Sequence, residues 1–140
     1  MIAVVCVDDR NGMRFGGRRQ SRDRILCEDM IRFCGTVWMN SRSAPLFADW
    51  KDRIRVDDAF LLHADTEEYG FVEEESLKDV PLEGMILYRW NRRYPADVFL
   101  EALPEKRGME LLAEESFAGS SHEKITREIW RIRHGERENR

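Results

Sequence analysis

The chain has 140 residues, a net charge of −4, 42% hydrophobic residues and four Trp. That length gives one domain with a real core, and that apolar content excludes a disordered chain. No apolar run is long enough to cross a bilayer and no cationic leader precedes a cleavage site, so the expected location is the cytoplasm.

Ile2 to Val7 is a continuous Val-rich run and reads as a strand buried on both faces. Asn11-Gly12 marks a turn after it. Ser21 is the expected N-cap of a helix through Leu26, Met30 and Phe33, with Asp23 in its first turn and Gly35 as its stop. Thr36 to Met39 reads as a second strand, followed by a short helix through Leu46, Phe47 and Trp50. Ala59–Leu62 and Phe71-Val72 read as further strands, and Ser76 to Asp79 as one helical turn. Met85–Tyr88, Val98–Leu100 and, weakly, Leu111-Leu112 complete the strands, while Ile125 to Ile132 fits either a helix or a strand. Alternating elements first and strands later predict an α/β domain over 1–134. Its sheet is mixed and mostly parallel with flanking helices and antiparallel strands at the C-terminal end, and 135–140 is a charged tail.

Cys6, Cys27 and Cys34 are an odd number of thiols in a cytosolic-looking chain and read as ordinary core cysteines. His63, His122 and His134 have no ligand spacing, so no metal site is expected. Charge is segregated. Residues 57–83 carry ten Asp or Glu against one Lys, whereas residues 1–24 carry six Arg against three Asp. The two readings are mutual attraction within the fold and separate surfaces for separate partners.

The segment Asn11–Arg24 is the best candidate for function, with five Arg and three Gly in fourteen residues ahead of a helix N-terminus. Guanidinium groups bind anions in a forked geometry, Gly16-Gly17 permits close backbone approach, and a helix start favours negative charge. Arg14, Arg18, Arg19 and Arg22, with Asn40 and Arg42 from the turn after the second strand, are the candidate ligand-binding side chains. Asp23 is the candidate general acid, although Arg22 and Arg24 beside it favour its ionised form. Ser121-His122-Glu123 is expected to be a strand segment whose neighbouring side chains point to opposite faces, which makes a structural hydrogen bond the better reading. Arg89 to Tyr94 interleaves cations and aromatics as nucleic-acid platforms do.

The opening strand, glycine-containing loop and helix bearing Asp23 resemble dihydrofolate reductase. Val37-Trp38-Met39 before a polar turn, and Ser121-His122 ahead of Glu128-Ile129, are similar to later motifs of that family. The resemblance implies the reductase fold, with Asp23 at the position of its catalytic carboxylate. It also implies a glycine-rich strand end and a helix for the NADPH pyrophosphate. The matching place, Leu87 to Asn91, has no glycine and is followed by a short gap, and His63–Glu68 is acidic where a 2′-phosphate would sit. No cofactor is therefore expected. The leading functional expectation is a non-catalytic binding module for an anion, a nucleotide or an acidic protein partner at the Asn11–Arg24 loop. The alternatives are a divergent NADPH- or pterin-dependent reductase using Asp23 as proton donor, and a nucleic-acid-associated protein.

Overall fold

The computed structural model describes residues 1–133. The expected boundary at 134 and the tail 135–140 lie outside them. The chain begins with β1 (Ile2–Val7), a hairpin of β2 (Gly12–Phe15) and β3 (Arg18–Arg19), and helix α1 (Arg24–Cys34). Then come β4 (Val37–Met39), a 3-10 segment at Ala44–Arg53, β5 (Ile54–Val56), helix α2 (Phe60–His63) and β6 (Tyr69–Phe71). Strands β7 (Gly84–Arg89), β8 (Val98–Phe99), β9 (Met109–Phe117) and β10 (Ile125–Ile132) complete it. Among the described residues, no helix is long and apolar enough to cross a membrane.

Seven strands form the main sheet in the order β5-β4-β6-β1-β7-β10-β9. Four pairings are parallel, and β10 is antiparallel to both β7 and β9. A small antiparallel sheet, β3-β2-β8, stands beside it. The fold is α/β, with a mixed, mostly parallel sheet.

Alternation along β1 explains its continuous apolar sequence. Ile2 and Val4 pack with Leu26, Met30 and Ile86 on the α1 face, whereas Ala3, Val5 and Val7 join Met85, Leu87 and Phe60 on the other. Helix α1 buries Leu26, Cys27, Met30 and Ile31 at helical spacing. It stops at Gly35, whose φ of +80° disfavours a side chain and whose N–H donates to Ile31 O. Gly84 matters by close approach. A Cβ there would lie 2.5 Å from the Trp130 carbonyl oxygen of the neighbouring strand. Gly84→Ala is expected to cost about 1–3 kcal/mol in a urea titration, because backbone of a paired strand cannot yield cheaply.

Several elements differ from the sequence expectation. Ala59–Leu62 is not a strand: Phe60–His63 forms α2, and the neighbouring strand is β5, whose Arg55 and Val56 are exposed at the sheet edge. Ser76–Asp79 makes a hydrogen-bonded turn, Val80 N to Leu77 O, without a helix. Leu111-Leu112 lies within a nine-residue edge strand, β9, and Ile125–Ile132 is wholly strand. Its Ile and Thr content suits a pleated surface, and β7 and β9 hold it on both sides. Glu110, Glu114 and Glu115 keep the exposed edge charged. After β7 the chain enters β8 of the small sheet, so no parallel crossover is needed there. The crossover lies between β6 and β7, through 72–83, and contains no helix.

Candidate functional site

The C-terminal ends of β1, β4, β6 and β7 deliver Asp8, Asn40, Glu73 and Trp90 to one edge of the sheet, facing the α1 N-terminus. Open α/β sheets place their ligands at this edge.

Asp8 organises the loops. It is buried and accepts from the N–H groups of Arg10, Gly12 and Tyr94 and from Gln20 Nε2, at 2.7 to 3.2 Å. Burial pushes its carboxyl up, but these hydrogen bonds outweigh burial and hold it below the usual range. Gly12 is required here, since a Cβ would press on Ala96 Cβ at 2.6 Å and on Asp8 Oδ1 at 2.9 Å.

Arg14, Arg18, Arg19, Arg22 and Arg42 line one open basin of about 650 Å³ together with Ser21 and Glu74. Glutamates from the 72–83 crossover engage some of these cations. Arg19 makes a forked pair with Glu73 at 2.7 and 2.8 Å, and Ser43 Oγ donates to the same carboxylate at 2.6 Å. Glu74 takes Arg42 at 2.6 Å and stands 3.8 Å from Arg14. Arg18 and Arg22 are exposed and make no ion pair among the described residues. Asn40 does not line the basin. Its side chain donates to Glu75 and accepts the N–H groups of Arg42 and Ser43, so it shapes the turn that carries Arg42. Basic ends and acidic middle thus meet within the fold at Arg14, Arg19 and, on the far side, Arg131 with Glu67.

Asp23, not Ser21, caps α1. Its extended backbone (φ −155°) turns the carboxylate onto the N–H groups of Ile25 and Leu26. The same carboxylate accepts Ser120 N and Oγ, Ser121 N at 2.8 Å and His122 Nδ1 at 2.9 Å. Burial pushes it up, yet the His122 bond and the backbone donors of Ser120, Ser121 and Leu26 prevail and hold it well below the ordinary carboxylate range. Asp23 is therefore an ionised acceptor. The face of α1 toward the neighbouring pocket is Leu26, Cys27 and Met30, with Met13, Phe71 and Trp90 opposite. That pocket is narrow, about 20 Å³, room for roughly one or two water molecules. Burial pushes the Cys27 and Cys34 thiols up to about 12, so neither is a nucleophile near neutrality.

Ser121-His122-Glu123 is a loop and not a strand, which allows His122 to converge with Asp23 while Glu123 stays exposed. The two side chains are 2% and 0% exposed. An ionised carboxylate only accepts, so His122 Nδ1 donates to it, and in the neutral ring Nε2 is the acceptor. Nε2 faces Ser21 Oγ at 3.0 Å and the Tyr94 hydroxyl at 2.9 Å. Trp90 stacks on the imidazole with centroids 4.5 Å apart and planes at 27°. The sequence suggests Ser21 as a helix cap, His122 as a structural hydrogen-bonding residue and Tyr94 as part of a surface platform, but not their convergence; the Ser121-His122 resemblance is the one signal that points to this loop. The Arg89–Tyr94 platform is dismantled by the same geometry. Arg89 is paired with Glu128, Trp90 is buried, and Tyr94 OH points inward.

No family model matches the chain, and no curated protein matches its sequence. Among solved structures, it is similar to a dihydrofolate reductase from Enterococcus faecalis complexed with NADP(H) and RAB-propyl. The TM-score is 0.63 with 10% identity, over 93% of this chain and 94% of that one. At that identity the likeness is one of fold.

Proposed function

We propose that the protein binds a small anionic ligand, such as the phosphate of a nucleotide, in the arginine basin. The observation that carries this reading is the convergence of five guanidinium groups on one open wall against two carboxylates, Glu74 in the wall and Glu73 paired with Arg19. Arg18 and Arg22 supply the charge left for a ligand, and Arg14, held by Gly17 O and near Glu74, completes the cradle.

Hydride transfer with NADPH is the weaker reading. Glu73, Glu74 and Glu75 follow β6, and the helix-free crossover offers a pyrophosphate neither glycine-backed amides nor a helix N-terminus. Asp23 is saturated with donors and ionised, which suits an anchor better than a proton donor.

The test is thermal stabilisation by inorganic pyrophosphate and by nucleoside phosphates. At a hundredfold excess over Kd the wild type should gain about 2.7 kcal/mol. Arg18→Ala with Arg22→Ala should abolish that gain while changing the intrinsic stability by no more than about 0.5 kcal/mol, since both side chains are exposed. An equal gain in the double variant would refute the basin as the site.

A further inference from the structure

We propose that Ser21, His122 and Asp23 form a nucleophilic triad that hydrolyses a short-chain carboxylic ester whose alcohol portion carries an anionic group. The anionic preference rests on the basin reading above; the triad itself does not.

The geometry meets each requirement of an activated serine. The nucleophile lies 3.0 Å from the base, and the base lies 2.9 Å from its orienting carboxylate. Asp23 fixes the tautomer that leaves Nε2 free to take a proton, and it stabilises the imidazolium that results. The Ser120 and Ser121 amides hold that carboxylate in place, and Trp90 holds the ring. Ser21 is half-buried and lines both the arginine basin and the narrow pocket. A carbonyl carbon at Ser21 Oγ would send its anionic side toward the guanidinium groups. Its acyl side would face that narrow pocket, whose walls Leu26, Met30 and Trp90 favour a short apolar acyl group.

The step balances with water as the co-reactant. Ser21 Oγ bonds to the acyl carbon and its proton passes to His122 Nε2. The bond to the alcohol oxygen then breaks, and that oxygen leaves with the proton from Nε2. Water attacks the acyl-serine and gives a proton to Nε2, which returns it to Ser21 Oγ as the carboxylic acid departs. Tyr94 has a defined part. Its hydroxyl is 2.9 Å from Nε2 and 3.4 Å from Ser21 Oγ. With the Ser21 hydroxyl on the Nε2 lone pair, Tyr94 O–H donates to Ser21 Oγ, and once that oxygen bonds to carbon the phenol proton is free to serve the oxyanion.

The experiment combines a small dialkyl fluorophosphate, read by intact and peptide mass, with acetate release from 4-acetoxybenzoate and from its methyl ester. The expected result is one adduct on Ser21, with labelling and turnover at least 100-fold slower in Ser21→Ala and His122→Gln. Tyr94→Phe should still take the label on Ser21, though more slowly, and turn over about 100-fold more slowly. Ser21 lies outside the core, so Ser21→Ala folds and is the decisive variant even if His122→Gln does not. Wild-type labelling within threefold of Ser21→Ala, or an adduct on another residue, overturns the triad. Labelling of Ser21 with equal turnover of the charged and methyl esters keeps the triad and removes the anionic substrate. Stabilisation by pyrophosphate without labelling keeps the basin and removes the triad.

Discussion

Asp23→Ala should lower the thermal midpoint by about 10–15 °C, the equivalent of roughly 3–5 kcal/mol for a domain of this size. The reason is the number of donors it orphans. Ile25 N, Leu26 N, Ser120 N, Ser121 N and His122 Nδ1 all lose their acceptor together, in a place where the side chains are almost fully buried. Asp23→Asn keeps an oxygen for the cap but turns an amide N–H₂ toward Ser121 N–H and His122, and should recover only about half of the loss. The pH dependence has a definite sign. The folded carboxyl is held below its unfolded value, so its contribution is fully present above about pH 4 and is lost as pH falls below that. Urea titrations at pH 7, 4 and 3 should show the wild type losing stability faster than Asp23→Ala across the lower interval. A variant melting within 2 °C of wild type would show that the carboxylate holds nothing together.

The second large effect is expected at Phe47. It is fully buried in the 3-10 segment, edge-on to Phe71 at 5.5 Å and to Trp50 at 6.3 Å. Phe47→Ala removes a ring from the junction of that segment, β6 and α1, and should cost about 3–5 kcal/mol through lost burial and the cavity left behind. Phe47→Leu should cost under about 1.5 kcal/mol, since volume is nearly kept. The check is the urea midpoint at unchanged slope. Leu46, the adjoining residue, lines the narrow pocket, so the alanine variant should also loosen that wall.

What the sequence disclosed was local. The Val-rich run of β1 and the 3.6-residue spacing of α1 are patterns visible within a dozen residues, and both elements form, although α1 is capped by Asp23 and not Ser21 and leaves Phe33 exposed. Strand β5 and helix α2 were misread because three or four residues carry too little periodicity to separate the two states. The arginine loop was legible from composition. That Arg19 and Arg42 would be met by Glu73 and Glu74 was not, because those contacts join segments 54 and 32 positions apart. His122 was given only a structural hydrogen bond because its segment was taken for a strand, where adjacent side chains diverge. A loop there lets it reach a partner 99 positions away.

That separation has a consequence for the order in which the molecule is made. A chain synthesised from its N-terminus exposes residues 1–34 long before 119–122 exist, so α1 must wait with its first turn tied only by its own cap. The closing bonds to Asp23 come when the β9–β10 hairpin docks beside β7, which is also when the sheet acquires its last two strands. A nascent chain halted before Gly119 would therefore hold the arginines and Ser21 but lack the imidazole and the clasp. The assembled site would mark a chain whose sheet already holds β9 and β10, and a pulse-labelled refolding experiment should find the Ser120 and Ser121 amides among the last to be protected.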